Sequence, residues 1–258
     1  MEKAIVTLSF DDGRKDTYDV FSKILKPMNI PATVNIPTGY IETGYSNPKE
    51  IGYNGLMSKR ELDELYECGL FEISGHGHMH KNDDEDIKTG IERLKKWYPT
   101  QKNFGFASPH SLLSDSVVYQ KRKYYESIGI AYVRSGRNFS ELNYYRRALS
   151  KIASQTGSTK AFLACYKNSL NTTDSFVLHA VPVIKPTTVE QVKAIIDLAI
   201  SESKWLILGI HGVDRVDSKE YRELFCIDIE KFKEVVSYIN NLKSEEKLFI
   251  MNAIDIKK

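Results

Sequence analysis

Apolar, β-branched runs alternate with amphipathic stretches along this chain, and that alternation limits the folds open to it. "KAIVTLSF" reads as a buried strand, and "KDTYDVFSKILKPM" follows with apolar residues at helical spacing until Pro27 ends the pattern. "PATVNIPT" is a strand and "NPKEIGYNG" a polar loop. "SKRELDELYECG" is a helix that opens on the capping-box pair Ser58 and Glu61 and stops at Gly69. "LFEISG", "NFGFAS", "IAYVRSG", "FVLHAVPVI", "KWLILGIHG" and "KLFIMN" continue the strands. "DEDIKTGIERLKKWY", "SDSVVYQKRKYYESIG", "TVEQVKAIIDLAISES" and "DIEKFKEVVSYINNLKS" continue the helices, while residues 138–175 show no assignable pattern.

This gives about eight strands, most of them followed by a helix. Near-continuous apolar strands in repeated βα units predict a parallel sheet covered by helices. At 258 residues the natural closure is a distorted (β/α) barrel, with a doubly wound open sheet as the alternative. No internal repeat or low-complexity linker divides the chain, so an α/β single domain over residues 1–258 is expected.

Composition fits a globular protein, with 41% hydrophobic and 27% charged residues. Lys+Arg 36 against Asp+Glu 34 leaves a formal charge of +2, with no basic block for nucleic acid. Three scattered cysteines, Cys68, Cys165 and Cys226, read as buried free thiols. No run approaches a membrane span, and "MEKAIVTLSF" goes straight into strand sequence. A cytoplasmic location is the expectation; the oligomeric state is left open.

The chemistry gathers where strands end. The first strand stops at Asp11-Asp12-Gly13, the third runs into "HGHMH" (His76, His78, His80), the fourth into Pro109 and His110, and a late one into His211. In a parallel barrel such ends converge on one face. Two adjacent aspartates repel each other unless they sit in solvent or share a cation. His76 and His80, four apart, would share one side of a helical turn. Two imidazoles and a carboxylate make the protein ligand set of a catalytic zinc site. The bland alternatives are a solvated turn with Gly13 at positive φ, loop histidines that merely pack, and a core histidine at 211. His179 reads as structural and His78 as peripheral to the His76/His80 side.

Taken together, "SFDDG", "HGHMH" and the late "GIHG" resemble the polysaccharide deacetylases of the NodB homology type, carbohydrate esterase family 4. The motifs occur in that family's order and span most of the chain. The resemblance implies a single NodB-like domain with Asp11 as general base and His211 as general acid. It implies a divalent metal, zinc being expected, on Asp12, His76 and His80. The implied reaction is hydrolysis of an N-acetyl group on an amino sugar. Without an export signal, an intracellular precursor of a surface polysaccharide is the expected substrate. One departure is plain: Ala107 stands in "FASPHS" where the family carries an arginine that pairs with the catalytic aspartate. The family's Asp-Trp motif is not evident either, and Ile210 replaces the leucine before the late histidine. Arg134 or Arg137, in "YVRSGRN", could reach the aspartate from the next strand end. Both join Pro109 and His110 as candidate substrate-binding residues. Two rivals follow: an amidase acting on a non-sugar C–N bond, and a silent glycan- or partner-binding relative, which Ala107 favours.

Overall fold

The computed structural model describes residues 3–136, 144–222 and 225–257. Its strands are β1 (Ala4–Phe10), β2 (Ala32–Ile36), β3 (Phe71–Gly75), β4 (Phe104–Ala107), β5 (Ile130–Arg134), β6 (Val177–Leu178), β7 (Val181–Pro182), β8 (Trp205–Ile210), β9 (Gly212–Asp214), β10 (Cys226–Asp228) and β11 (Leu248–Ile250). One sheet runs β6-β5-β4-β3-β2-β1-β8-β7 with β11 also on β1, and every pair in it is parallel. β9 and β10 form a separate parallel pair.

The two ends of that order, β6 and β7, are consecutive in the chain, with only His179 and Ala180 between them. One segment therefore pairs with β5 at its start and with β8 at its finish. That carries the curled sheet round to its own far edge, which gives the expected distorted (β/α) barrel rather than an open sheet. "FVLHAVPVI" is accordingly two short pairings and not one strand.

Side-chain parity divides each strand between two environments. On β1, Val6, Leu8 and Phe10 join the outer core under the helices, where the Phe10 and Phe21 rings meet edge-on at 4.9 Å. The other parity of the strands faces the barrel interior. There Tyr132, Leu178, Trp205 and Ile207 form a second small core with Ala253. Buried polar groups share that interior: Trp205 Nε1 donates to Thr7 Oγ1 at 2.9 Å, and Tyr132 OH donates to Glu72 at 2.7 Å.

The capping box at Ser58 and Glu61 forms, as does another at Thr188 and Gln191. The "SDSVVYQKRKYYESIG" helix is broken at Lys121, and "NPKEIGYNG" contains a short helix, Pro48–Ile51, behind an Asn47 cap. Helices Tyr144–Thr156 and Thr159–Tyr166 occupy part of the stretch with no readable pattern. Cys68 is half-buried rather than buried, while Cys165 and Cys226 are buried; all three are free. No helix among the described residues is long and apolar enough to cross a membrane.

Candidate active site

Interior parity continues past the strand ends and brings the reactive groups together. Residues 5, 7, 9 and 11 of the first strand share the inward side, as do 132 and 134, and 205, 207, 209 and 211. Asp11, Arg134 and His211 therefore meet at the mouth of the barrel. Asp11 Oδ1 accepts from Arg134 Nη2 at 2.5 Å and from Asn35 Nδ2 at 2.8 Å. Asp11 Oδ2 faces His211 Nε2 at 3.7 Å. Burial alone would raise the Asp11 carboxyl, but Arg134, His76 and His211 outweigh it and hold it below the usual range. The pair of aspartates is thus no solvated turn: Asp11 and Asp12 are each only 5% exposed.

Arg134 supplies a cation where Ala107 cannot. The two residues are register partners on β5 and β4, so the charge arrives from one strand further round. A Cβ at Gly209 would lie 3.2 Å from Arg134 Nη1, so glycine there leaves room for the guanidinium. Arg137 lies outside the described residues. Asn35, which also donates to Asp11, gave no sequence signal beyond a polar residue inside an apolar strand.

Asp12 turns the other way. Its backbone is left-handed at φ 71°, a conformation aspartate tolerates better than most residues. Its Oδ1 lies 3.4 Å from His76 Nε2 and 3.4 Å from His80 Nε2. His76 Nδ1 donates to the carbonyl of Ala107 at 2.8 Å, which leaves Nε2 as the bare nitrogen aimed at Asp12. His80 Nε2 is buried with no hydrogen-bond partner among the described residues. Two imidazoles and a carboxylate whose ligand atoms lie within 4.8 Å of one another fit a divalent cation. Burial would raise Asp12, yet the two histidines hold its carboxyl well below the ordinary range. His76 moves the opposite way: burial would lower it, and Asp12 and Asp11 raise it.

The His76–His80 segment is not the helical turn its spacing suggested. It is a bent loop with Gly77 at φ 79° and His80 at φ 56°, and the rings still meet, 4.7 Å apart. Thr38 N and Gly39 N donate to the carbonyls of Gly77 and His78, at 3.2 and 2.8 Å. His78 Nδ1 lies 3.0 Å from Thr38 Oγ1. The His110 ring sits 4.4 Å from that of His80 on the exposed side. Pro109 is buried, and its carbonyl accepts from Asn82 Nδ2 at 2.9 Å, so it shapes the loop. His179 pairs with Asp115 at 2.9 Å.

His211 is 29% exposed at its side chain, with the Phe225 ring 5.0 Å from its own. Burial lowers its pKa against the pull of Asp12 and Asp11. Behind it lies a charged brace absent from the sequence reading. Arg14 donates to Asp16 at 3.0 Å and to Glu220 at 2.6 Å, and Asp16 Oδ2 accepts from Val213 N at 2.8 Å. All three side chains are buried. The brace ties the turn after Asp12 to the strand that follows His211.

The sequence is also similar to known proteins. The sequence matches the family model of the polysaccharide deacetylases over residues 1–133. It is 29% identical over 137 residues to a poly-beta-1,6-N-acetyl-D-glucosamine N-deacetylase of Staphylococcus epidermidis, covering 47% of this chain and 45% of that protein. It is 38% identical over 94 residues to the protein of the same description from Staphylococcus aureus, covering 36% of this chain and 31% of that one. The chain thus spans less than half the length of these relatives. A 4-alpha-glucanotransferase from Thermococcus litoralis superposes with a TM-score of 0.52 at 16% identity, over 99% of this chain and 40% of that one, a likeness of fold alone.

Proposed function

The chain belongs to the polysaccharide deacetylase family, and from that premise we propose that it hydrolyses the N-acetyl group of an amino sugar in a β-1,6-linked N-acetylglucosamine chain. One observation carries the reading: Asp11 holds a cation on one oxygen and faces His211 with the other, beside a cluster of Asp12, His76 and His80. A divalent ion, zinc in our reading of the donor set, would be held by those three and would polarise the acetyl carbonyl and acidify water.

The rest of the chemistry falls to the protein's own groups. Asp11, kept ionised by Arg134, takes a proton from the attacking water. The backbone N–H after Pro109 would donate to the developing oxyanion. His211 gives its proton to the departing nitrogen as the C–N bond breaks, leaving acetate and a free amine. Arg134 answers the feature that favoured a silent relative, since the catalytic aspartate does not lack a cationic partner.

Acetate release would be followed on β-1,6-linked N-acetylglucosamine oligomers, free N-acetylglucosamine, a nucleotide-linked precursor and simple acetamides. The reading expects the oligomers to be the best substrates. Preference for the nucleotide-linked sugar would favour a cytoplasmic precursor pathway. Turnover of the acetamides alone would point to the non-sugar amidase.

A further inference from the structure

Asp86 is neither a ligand nor within the site, yet one carboxylate holds the loop that carries both histidines. Its Oδ2 accepts from His78 N at 2.9 Å and from Lys81 N at 3.0 Å, and its Oδ1 accepts from Met79 N at 2.8 Å. Three backbone N–H groups between and just beyond His76 and His80 therefore converge on a single side chain, 9% exposed, with the His78 N–H shared with the Asp86 carbonyl at 3.1 Å. The approach is close. A Cβ at Gly77 would lie 2.5 Å from Asp86 Oδ2, and one at Gly90 would lie 2.9 Å from the Gly77 carbonyl carbon. Asp86 is itself fixed in the first turn of the helix Asp84–Trp97, its N–H bonded to the capping Asp83 at 3.0 Å.

We propose that Asp86 is a positioning residue for the metal centre, setting ion affinity by holding His80 in its left-handed conformation opposite Asp12. His80 at φ 56° is a costly backbone state for a residue with a Cβ, and a free loop would relax out of it. Relaxation would carry His80 Nε2 away from the Asp12 oxygen now 3.4 Å off. Charge-assisted bonds from backbone N–H groups to a carboxylate are strong enough to oppose this, and three of them share the load. The inference rests on the reading that Asp12, His76 and His80 hold the ion.

Its test reads metal binding, without turnover. Zinc affinity of the full chain is measured by competition with a chromophoric chelator for wild type, Asp86→Ala and Asp86→Asn, alongside the melting temperature of each metal-free protein. Cobalt(II) loading adds the visible ligand-field spectrum. Asp86→Ala should weaken zinc binding by about ten- to a hundredfold, the scale for lost outer partners of a metal site, and should alter the cobalt spectrum. Asn can keep the acceptor shared by His78 and Lys81, so Asp86→Asn should recover part of the affinity; it also serves if the alanine variant does not fold. Affinity in both variants within twofold of wild type, with only the melting temperature lowered, would overturn the proposal and leave Asp86 a helix cap. A wild type that binds no zinc would overturn the metal-centre reading itself, and this inference with it.

Discussion

Arg134 Nη2 lies 2.5 Å from Asp11 Oδ1, and Ala107, its neighbour in register, gives its carbonyl to His76. The cation that steadies the aspartate and the backbone that orients a metal histidine thus come from two adjacent strand ends. Losing the guanidinium should leave Asp11 buried without its main opposing charge and less ionised. Arg134→Ala is expected to lower kcat about a hundredfold with little change in KM, and Arg134→Lys to recover part of it. Steady-state acetate release checks this, with zinc content measured to show that the ligands are intact.

Removing the ion should abolish turnover reversibly. Dialysis against a strong chelator is expected to leave the fold in place and the activity gone, with zinc restoring it. His80→Ala should bind zinc far more weakly and resist restoration, as metal analysis after gel filtration would record.

Asp16 should act through His211. Its carboxylate fixes Val213 N two residues beyond the histidine, so Asp16→Ala is expected to reduce kcat in the wild type. In a His211→Ala background the same change should cost little more, because the group it positions is gone. Equal losses in both backgrounds would make the brace purely structural. Breaking the brace at Glu220 leaves Arg14 paired with Asp16 alone and should lower stability, read as a drop in melting temperature.

Glu72 makes a prediction about pH, well away from the metal ligands. Burial raises its carboxyl above the ordinary 4.5, against the donors Thr33 and Tyr132. An acid whose folded pKa exceeds its unfolded one favours folding while protonated. That contribution is whole below the unfolded value and is lost as pH climbs through the folded one. Urea unfolding of wild type and Glu72→Gln across pH 4 to 8, a window of about four units, should show the wild-type curve losing stability relative to the variant as pH rises from about 4.5. A constant difference across that range would contradict the assignment.

The barrel was legible because parallel strands buried on both faces read as apolar runs, and β1 and β8 are nearly continuous ones. Asp11, Asp12, His76, His80 and His211 were readable as strand-end residues, and the structure places them together. Placing Arg134 at Asp11 needed the parity of Tyr132 and Arg134, a pattern hidden because interior positions here mix Thr, Glu, Tyr and Trp. The helix Tyr144–Thr156 was unreadable for a different reason: it buries only Ala153, and its apolar positions Tyr145, Leu149 and Ile152 are interleaved with Arg, Ser and Lys in a stretch with no clear start or stop signal. Asp86 and the Arg14–Asp16–Glu220 brace look in sequence like ordinary surface charges, and only tertiary contact distinguishes them. The family match ends at residue 133, so the placing of Arg134 rests on geometry alone and that of His211 on geometry and the "GIHG" motif.

The most direct test of the whole account compares zinc-loaded wild type with zinc-loaded Asp11→Asn on a β-1,6-linked N-acetylglucosamine oligomer, scoring acetate release and bound zinc in the same samples. The account predicts release by the wild type, a loss of roughly a hundredfold or more in the variant, and equal zinc in both. Undiminished release by Asp11→Asn, or no release by a wild type carrying its full zinc, would contradict it.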